Sequence, residues 1–448
     1  MNREKMGSKR IPSLLLEFSL PATAGMLINA LYNIIDRIFI GNSPDIGSHG
    51  LAGLTVTFPI IIIIMAVALM CGVGGATLFS ISLGERKPEE AKHIAGNAFS
   101  LAAITAIIVC VLNYIFMDSV LLSFGASSET LPYAREYMEI ILLGGVFQAI
   151  NMAGNNLIRA DGSPSIAMLS ILLGGIIHMI LDPIFIYGFH WGMKGAAIAT
   201  IIGQFTSTLW ILHYYTKGKA NYKLKRIHLR LNKDIAFKVM ITGLPSFFIQ
   251  TAASVLNIVL NTALLKYGGD LAISAMGIVN SFQTLLMLPM IGINQGALPI
   301  IGYNYGAKKY ERIKETIKYA AVINTILAVV GFSLTQLFSQ EIITLFNKTP
   351  ELVDMGSKIL RAWFLCLPIV GINLVFSNYF QAIGKVKPAI FLTLSRQILI
   401  LIPLILILSS KYGFDGLIYA QPISDIASSI LVFTFFFISI NKLSKQFK

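Results

Sequence analysis

The chain has 448 residues, 55 % of them hydrophobic and only 13 % charged, with a formal net charge of +13. Soluble domains carry roughly a quarter charged residues, so the deficit excludes an ordinary globular enzyme. Apolar runs that approach or exceed the roughly 20 residues of a bilayer crossing recur along the whole length. They are continuous and do not alternate with period two, which excludes a lipid-facing β-barrel.

The sequence reads as an all-α polytopic membrane protein with twelve transmembrane helices. The predicted spans are 12–40, 51–83, 93–116, 131–158, 165–189, 194–216, 235–265, 271–303, 315–338, 355–381, 388–409 and 415–440. The basic first residues lead into a span of full length with no small-residue cleavage site, so this segment is read as the first membrane helix and not as a removed signal. Pro21 lies inside that span, where it removes a backbone hydrogen bond and favours a bend. Asp36 lies near the outer end of the same span, and Asp182 lies about seven residues, or ~10 Å, before the outer end of the fifth. Lys and Arg gather at both ends and in every second connection. The densest connection carries Lys217, Lys219, Lys223, Lys225, Arg226, Arg230 and Lys233. By the positive-inside rule both termini are expected in the cytoplasm, and the membrane is expected to be the plasma membrane. The basic charge is then topological, and nucleic acid is not an expected partner. Cys71, Cys110 and Cys366 stand singly in apolar helices without metal spacing, as small buried hydrophobes.

The two halves repeat one another. Leu20-Pro21-Ala22 matches Leu244-Pro245-Ser246, and the same shift carries Asn33 onto Asn257. Gly84-Glu85-Arg86-Lys87 matches Gly306-Ala307-Lys308-Lys309, Ala160-Asp161-Gly162 matches Ala382-Ile383-Gly384, and Trp191-Gly192 matches Tyr412-Gly413. The expected domains are an N-lobe over 1–216, a basic cytoplasmic linker over 217–234, read as solvated, and a C-lobe over 235–448. Six spans is an even number, so the two six-helix bundles keep one orientation and would be related by a pseudo-twofold axis along the membrane normal, as in alternating-access transporters. The repeat breaks at the acids: Asp36 aligns with Leu260 and Asp182 with Ile402. An acid kept in one bundle only points to a site.

Carboxylates in hydrocarbon are costly and seldom incidental. Burial and a second nearby carboxylate both favour a held proton, which such a pair can release when the cavity opens to water. In the second half Asp425 and Arg396 fall on neighbouring spans and are expected to form a structural ion pair, with a second ion site as the alternative. No G-x-x-x-x-G-K-[ST] occurs and the six histidines show no H-E-x-x-H spacing, so neither nucleotide nor metal-hydrolase chemistry is expected, and no cofactor. Energy must then come from an ion gradient or a separate subunit.

Ser19-Leu20-Pro21, Asp36-Arg37-Ile38-Phe39-Ile40-Gly41, Ala160-Asp161-Gly162, Leu181-Asp182-Pro183 and Asn294-Gln295-Gly296-Ala297-Leu298-Pro299 resemble the multidrug and toxic compound extrusion (MATE) family over essentially the whole chain. The resemblance implies a monomeric two-lobe exporter of cationic amphipathic small molecules, driven by inward H⁺ or Na⁺. It also implies that Asp36 and Asp182 are coupling acids, that Asn155 and Thr200 are their hydrogen-bond partners, and that Pro21 is the bend. In the resembling branch the position four residues before the helix-five aspartate can carry an amide. Here it is His178, one turn from Asp182. Imidazole is a poor sodium ligand but titrates near neutrality, so H⁺ is expected to couple in preference to Na⁺. The rival functions are a lipid-linked oligosaccharide flippase, which would line its cavity with cations for pyrophosphate, and a non-transporting scaffold or receptor.

Overall fold

The computed structural model describes residues 5–44 and 46–446. Among the described residues the chain is helical and without strands. The first six crossings are α1 (Ile11–Gly41), α2 (Gly47–Gly84), α3 (Pro88–Ile115), α4 (Leu131–Ala160), α5 (Pro164–Pro183) and α6 (Gly192–Thr216). Beyond α5 the chain continues as a π-helical turn, Ile184–Gly188. Helix Lys233–Gly306 carries non-helical backbone at Gly269, which separates α7 (233–268) from α8 (270–306). Next comes α9 (Tyr310–Leu337), followed by α10, a broken span of Pro350–Trp363 and Leu367–Ala382 that meet at 49°. Val386–Leu394 and the π-helical Ser395–Leu401 run on into a helix interrupted at Gly413, giving α11 (386–412) and α12 (414–446). Among the described residues twelve crossings result, as the hydropathy pattern predicts. Cys71, Cys110 and Cys366 are free and buried.

The duplication is written in the backbone. Left-handed φ angles occur in pairs about 222 residues apart: Gly47 and Gly269, Arg86 and Lys308, Gly162 and Gly384, Gly192 and Gly413. Arg86 and Lys308 pay the strain of φ near +60° that glycine avoids, at the same turn in each half.

Contacts divide the chain into two compact units, one of Met1–Ser8 and Leu20–Phe247, the other of Lys9–Ser19 and Phe248–Lys448. The division therefore falls inside α1 and α7, within three residues of Pro21 and Pro245, and beyond the basic segment 217–234. In the first unit α7 starts against α2 at backbone contact: a Cβ on Gly243 would stand 1.7 Å from the Met70 carbonyl oxygen, and one on Gly74 2.1 Å from that of Val239. Only glycine admits that approach. The apolar core of this unit gathers Ile60, Ile64, Met138, Ile141 and Ala197, and that of the second gathers Leu264, Met276, Leu360, Ile405 and Leu417.

The basic segment is not simply a solvated strap. His228 is 4 % exposed, and its carbonyl sits where a Cβ on Gly96 of α3 would be. Asn97 of α3 donates to the Arg230 carbonyl (3.2 Å) and accepts from the Asn232 amide (2.8 Å), while Ser100 donates to the Leu229 carbonyl (2.7 Å). The polar face that α3 turns to this segment is what positive-inside counting does not register.

Candidate functional site

The site lies wholly in the first unit, where α5 and α6 pack through glycine. A Cβ on Gly174 would meet Ser207 Oγ at 2.1 Å, and one on Gly203 would meet the Gly174 carbonyl at 2.7 Å and His178 Cβ at 3.1 Å. The missing side chains bring the two helices together, and the next residues on the shared faces, His178 and Asp182 on α5 and Thr200 on α6, converge. Positions four apart share a helix face, so His178 and Asp182 project together, and α1 brings Asp36 to them.

His178 Nε2 is the centre of the group. It lies 3.1 Å from Asp182 Oδ2, 3.8 Å from Asp36 Oδ1 and 3.1 Å from Thr200 Oγ1. Asp36 is 7 % exposed, His178 4 % and Asp182 0 %. One ligand atom from each of these three lies within 4.8 Å of the others. Thr200 Oγ1 donates its proton to the Ala196 carbonyl at 3.0 Å. It is therefore an acceptor towards the ring, and a neutral His178 fits as the Nε2–H tautomer. Asp36 Oδ1 and both oxygens of Asp182 have no hydrogen bond among the described residues. No Lys or Arg among the described residues forms an ion pair with either acid; Arg37 is exposed. Buried carboxylate oxygens without donors are unfavourable.

Other residues fall around this centre. Tyr32, one turn before Asp36, sets its ring edge-on to His178 at 5.5 Å between centroids, and its hydroxyl accepts from Asn29 Nδ2 at 2.8 Å. Tyr137 of α4 is buried near Thr200 and in the field of Asp36. Neither tyrosine was singled out in the sequence. The i, i+4 spacing to Asp36 could have shown Tyr32, whereas Tyr137 reaches the site from a helix whose sequence holds no mark of it.

Asn155 joins a second polar group. Its Nδ2 donates to Ser170 Oγ at 2.9 Å, and Ser207 Oγ donates to the Ser170 carbonyl at 2.7 Å. Ser170 precedes His178 by eight residues, about 12 Å along α5, so Asn155 is not in contact with the acids. Its own Oδ1 is buried and unpartnered. Asn33 turns away, donating to the Asn29 carbonyl (2.7 Å) at an exposed position, and Asn257 is exposed. Pro21 stands within the unbroken helix α1.

Arg396 and Asp425 meet in the second unit. Arg396 donates from Nε and Nη2 to Asp425 Oδ1, both at 3.0 Å, and Gln421 Nε2 donates to Oδ2 at 3.2 Å. Ser424 Oγ donates to the Arg396 carbonyl at 3.0 Å. Asp425 is thereby matched by a cation on the adjacent helix.

Solved structures share this architecture throughout. A structure described as MATE in the bent conformation superposes with a TM-score of 0.94 over 100 % of this chain and 99 % of its own, at 24 % identity. An outward-facing multidrug resistance MATE family transporter superposes at 0.90 over 98 % and 99 %, at 25 % identity. In sequence the chain is 28 % identical to the multidrug export protein MepA of Staphylococcus haemolyticus (strain JCSC1435) over 417 residues, 93 % of this chain and 91 % of that one. Against MepA of Staphylococcus aureus (strain NCTC 8325 / PS 47) it is 28 % identical over 426 residues, 94 % and 93 %. Residues 21–184 and 245–407, one stretch in each half, both match the MatE family, and the chain, a multi-pass membrane protein, belongs to that family.

Proposed function

We propose that the protein is a multidrug efflux antiporter that exports cationic amphipathic molecules in exchange for protons, through the group formed by Asp36, Asp182, His178 and Thr200. The observation that carries this reading is the set of three buried carboxylate oxygens without hydrogen bonds around one imidazole nitrogen. Two acids without a matched cation attract a cationic substrate electrostatically. Protons delivered to the same acids neutralise them and weaken that attraction, so protons and substrate exclude one another. His178 can receive a proton and hold it between Asp36 and Asp182, or pass it between them. Tyr137 orients Thr200, and Pro21 supplies the flexible point in α1 at which its carboxyl-terminal part, bearing Asp36, responds. The named relatives, multidrug export proteins, support export of several compounds.

A sodium ion is the second reading, favoured by the hard oxygens of Asp36, Asp182 and Thr200; the central imidazole nitrogen weighs against it. We place the protein in the plasma membrane as a monomer with both termini and segment 217–234 on the cytoplasmic side, and no nucleotide, nucleic acid or cofactor taking part. In proteoliposomes free of sodium, an imposed pH gradient should drive accumulation of a cationic dye. Accumulation that requires a Na⁺ gradient and ignores ΔpH would refute proton coupling, and absence of dye movement under either gradient would refute drug efflux.

A further inference from the structure

A groove of about 410 Å³ in the second unit is lined by Lys385, Lys387 and Lys442 together with Phe380, Phe391, Phe435 and Ile438. Lys385 immediately precedes α11, Lys387 stands in its first turn, and Lys442 lies near the end of α12. None of the three forms an ion pair with an acid among the described residues. Lys385 Nζ donates to Ser439 Oγ at 3.3 Å, its best neutral partner. Burial first, and then the charge of Lys442, hold the Lys385 amine below its ordinary value.

Most of the remaining lining is apolar. Phe391 and Phe435 are exposed, with ring centroids 5.5 Å apart and tilted planes, and Ile438, also exposed, adds to that lining. Exposed rings on a membrane helix meet acyl chains, so the groove combines cations with lipid-facing rings.

Cytoplasmic loops attract lysines in general, but the other half shows that this position does not require them. Ile383-Gly384-Lys385-Val386-Lys387 corresponds to Asp161-Gly162-Ser163-Pro164-Ser165. There the acid accepts from the Tyr214 hydroxyl and the Asn221 amide, and no lysine takes the corresponding place. Lys385 and Lys387 belong to one copy.

We propose that this groove binds an anionic glycerophospholipid, its phosphate held between Lys385, Lys387 and Lys442 and its chains along Phe391 and Phe435. Placing the groove at the inner leaflet would rest on the orientation proposed above; the binding itself does not. Basic pockets between membrane helices are suited to such head groups.

The test is lipid retention by the full-length protein in mixed micelles, read by native mass spectrometry with phosphatidylglycerol and phosphatidylcholine as probes. The wild type should retain phosphatidylglycerol in preference. Lys385→Gln/Lys387→Gln/Lys442→Gln should weaken it on the order of a hundredfold, about fivefold per lysine, with phosphatidylcholine unchanged. Lys217→Gln/Lys219→Gln/Lys223→Gln, which removes as many charges elsewhere, should behave as the wild type. Equal weakening in both triple variants would overturn the proposal in favour of diffuse attraction. Displacement by glycerol 1-phosphate at equal concentration would overturn it in favour of a soluble phosphate site. If the triple variant fails to fold, the exposed Lys387→Gln alone should still weaken retention about fivefold, and unchanged retention there would refute the assignment.

Discussion

The two halves of this protein solve the problem of a buried acid in opposite ways. In the second, Asp425 is met by Arg396 at 3.0 Å and by Gln421, so its charge is matched by groups fixed in the fold. In the first, Asp36 and Asp182 share a single imidazole, and three of their oxygens have no donor. A buried ion pair adds little net stability but is costly to break; an acid with no fixed partner must take its positive charge from solution. The same duplicated scaffold thus carries one closed electrostatic arrangement and one open one, and the proposed exchange is assigned to the open one.

The strongest way to break the comparison is to remove the open acids. Asp36→Asn and Asp182→Asn should each reduce gradient-driven dye efflux to background while the protein remains in the membrane; wild-type efflux from a well-expressed double variant would contradict the assignment. Arg396→Ala should act on stability instead. Losing one member of a fully buried pair costs roughly 3–5 kcal/mol, and the 27 % exposure of the Arg396 side chain places this pair towards the lower end. Thermal unfolding in detergent should show the loss, and Arg396→Ala/Asp425→Ala should recover part of it. If the single variant is as stable as the wild type yet loses its ion dependence, Asp425 belongs to the exchanging machinery and the contrast fails.

His178→Asn sharpens the contrast within the site. Transport should persist at a reduced rate with a weakened or shifted pH dependence, measured as dye efflux against pH; an unchanged profile would leave the ring a purely structural role. The smallest effect is expected outside the membrane, at His228. Burial first, then His93 and Lys92, lower its affinity for protons, and its Nδ1 accepts from the Lys225 amide at 2.9 Å. The folded form therefore binds fewer protons than the unfolded one. Its contribution is complete above the ordinary histidine value of about 6.5 and is lost as pH falls below it. Limited proteolysis of the segment 217–234 should accelerate modestly between pH 7.5 and 5.5 in the wild type and less in His228→Asn.

Much of this was legible in the sequence, for identifiable reasons. Spans are legible because lipid demands continuous apolar runs, and the duplication because turns such as Arg86/Lys308 and Gly192/Gly413 recur in order. Asp36 and Asp182 stood out because charge is rare in such runs, and His178 because i, i+4 spacing fixes it to the face of Asp182. What joins helices distant in sequence was not legible. The approach of α5 and α6 through Gly174 and Gly203 depends on which small residues face each other, and many glycines lie along this chain. Tyr137 reaches Thr200 only through that packing. Asn155 carries the right chemistry, but the site of its hydrogen bond, Ser170, is set by the registry of α4 against α5. The docking of His228 on Gly96 and Asn97 likewise needs the fold to bring them together.

The most direct measurement of the central claim is proton release on substrate binding. Purified protein in weakly buffered detergent solution, free of sodium, is mixed with a cationic dye substrate while a pH indicator is followed. The wild type should release protons as the dye binds, Asp36→Asn/Asp182→Asn should release none, and a stably folded Arg396→Ala/Asp425→Ala should release as the wild type does. Release that survives loss of Asp36 and Asp182, or that vanishes with Asp425, would place the exchange in the wrong half and contradict the account.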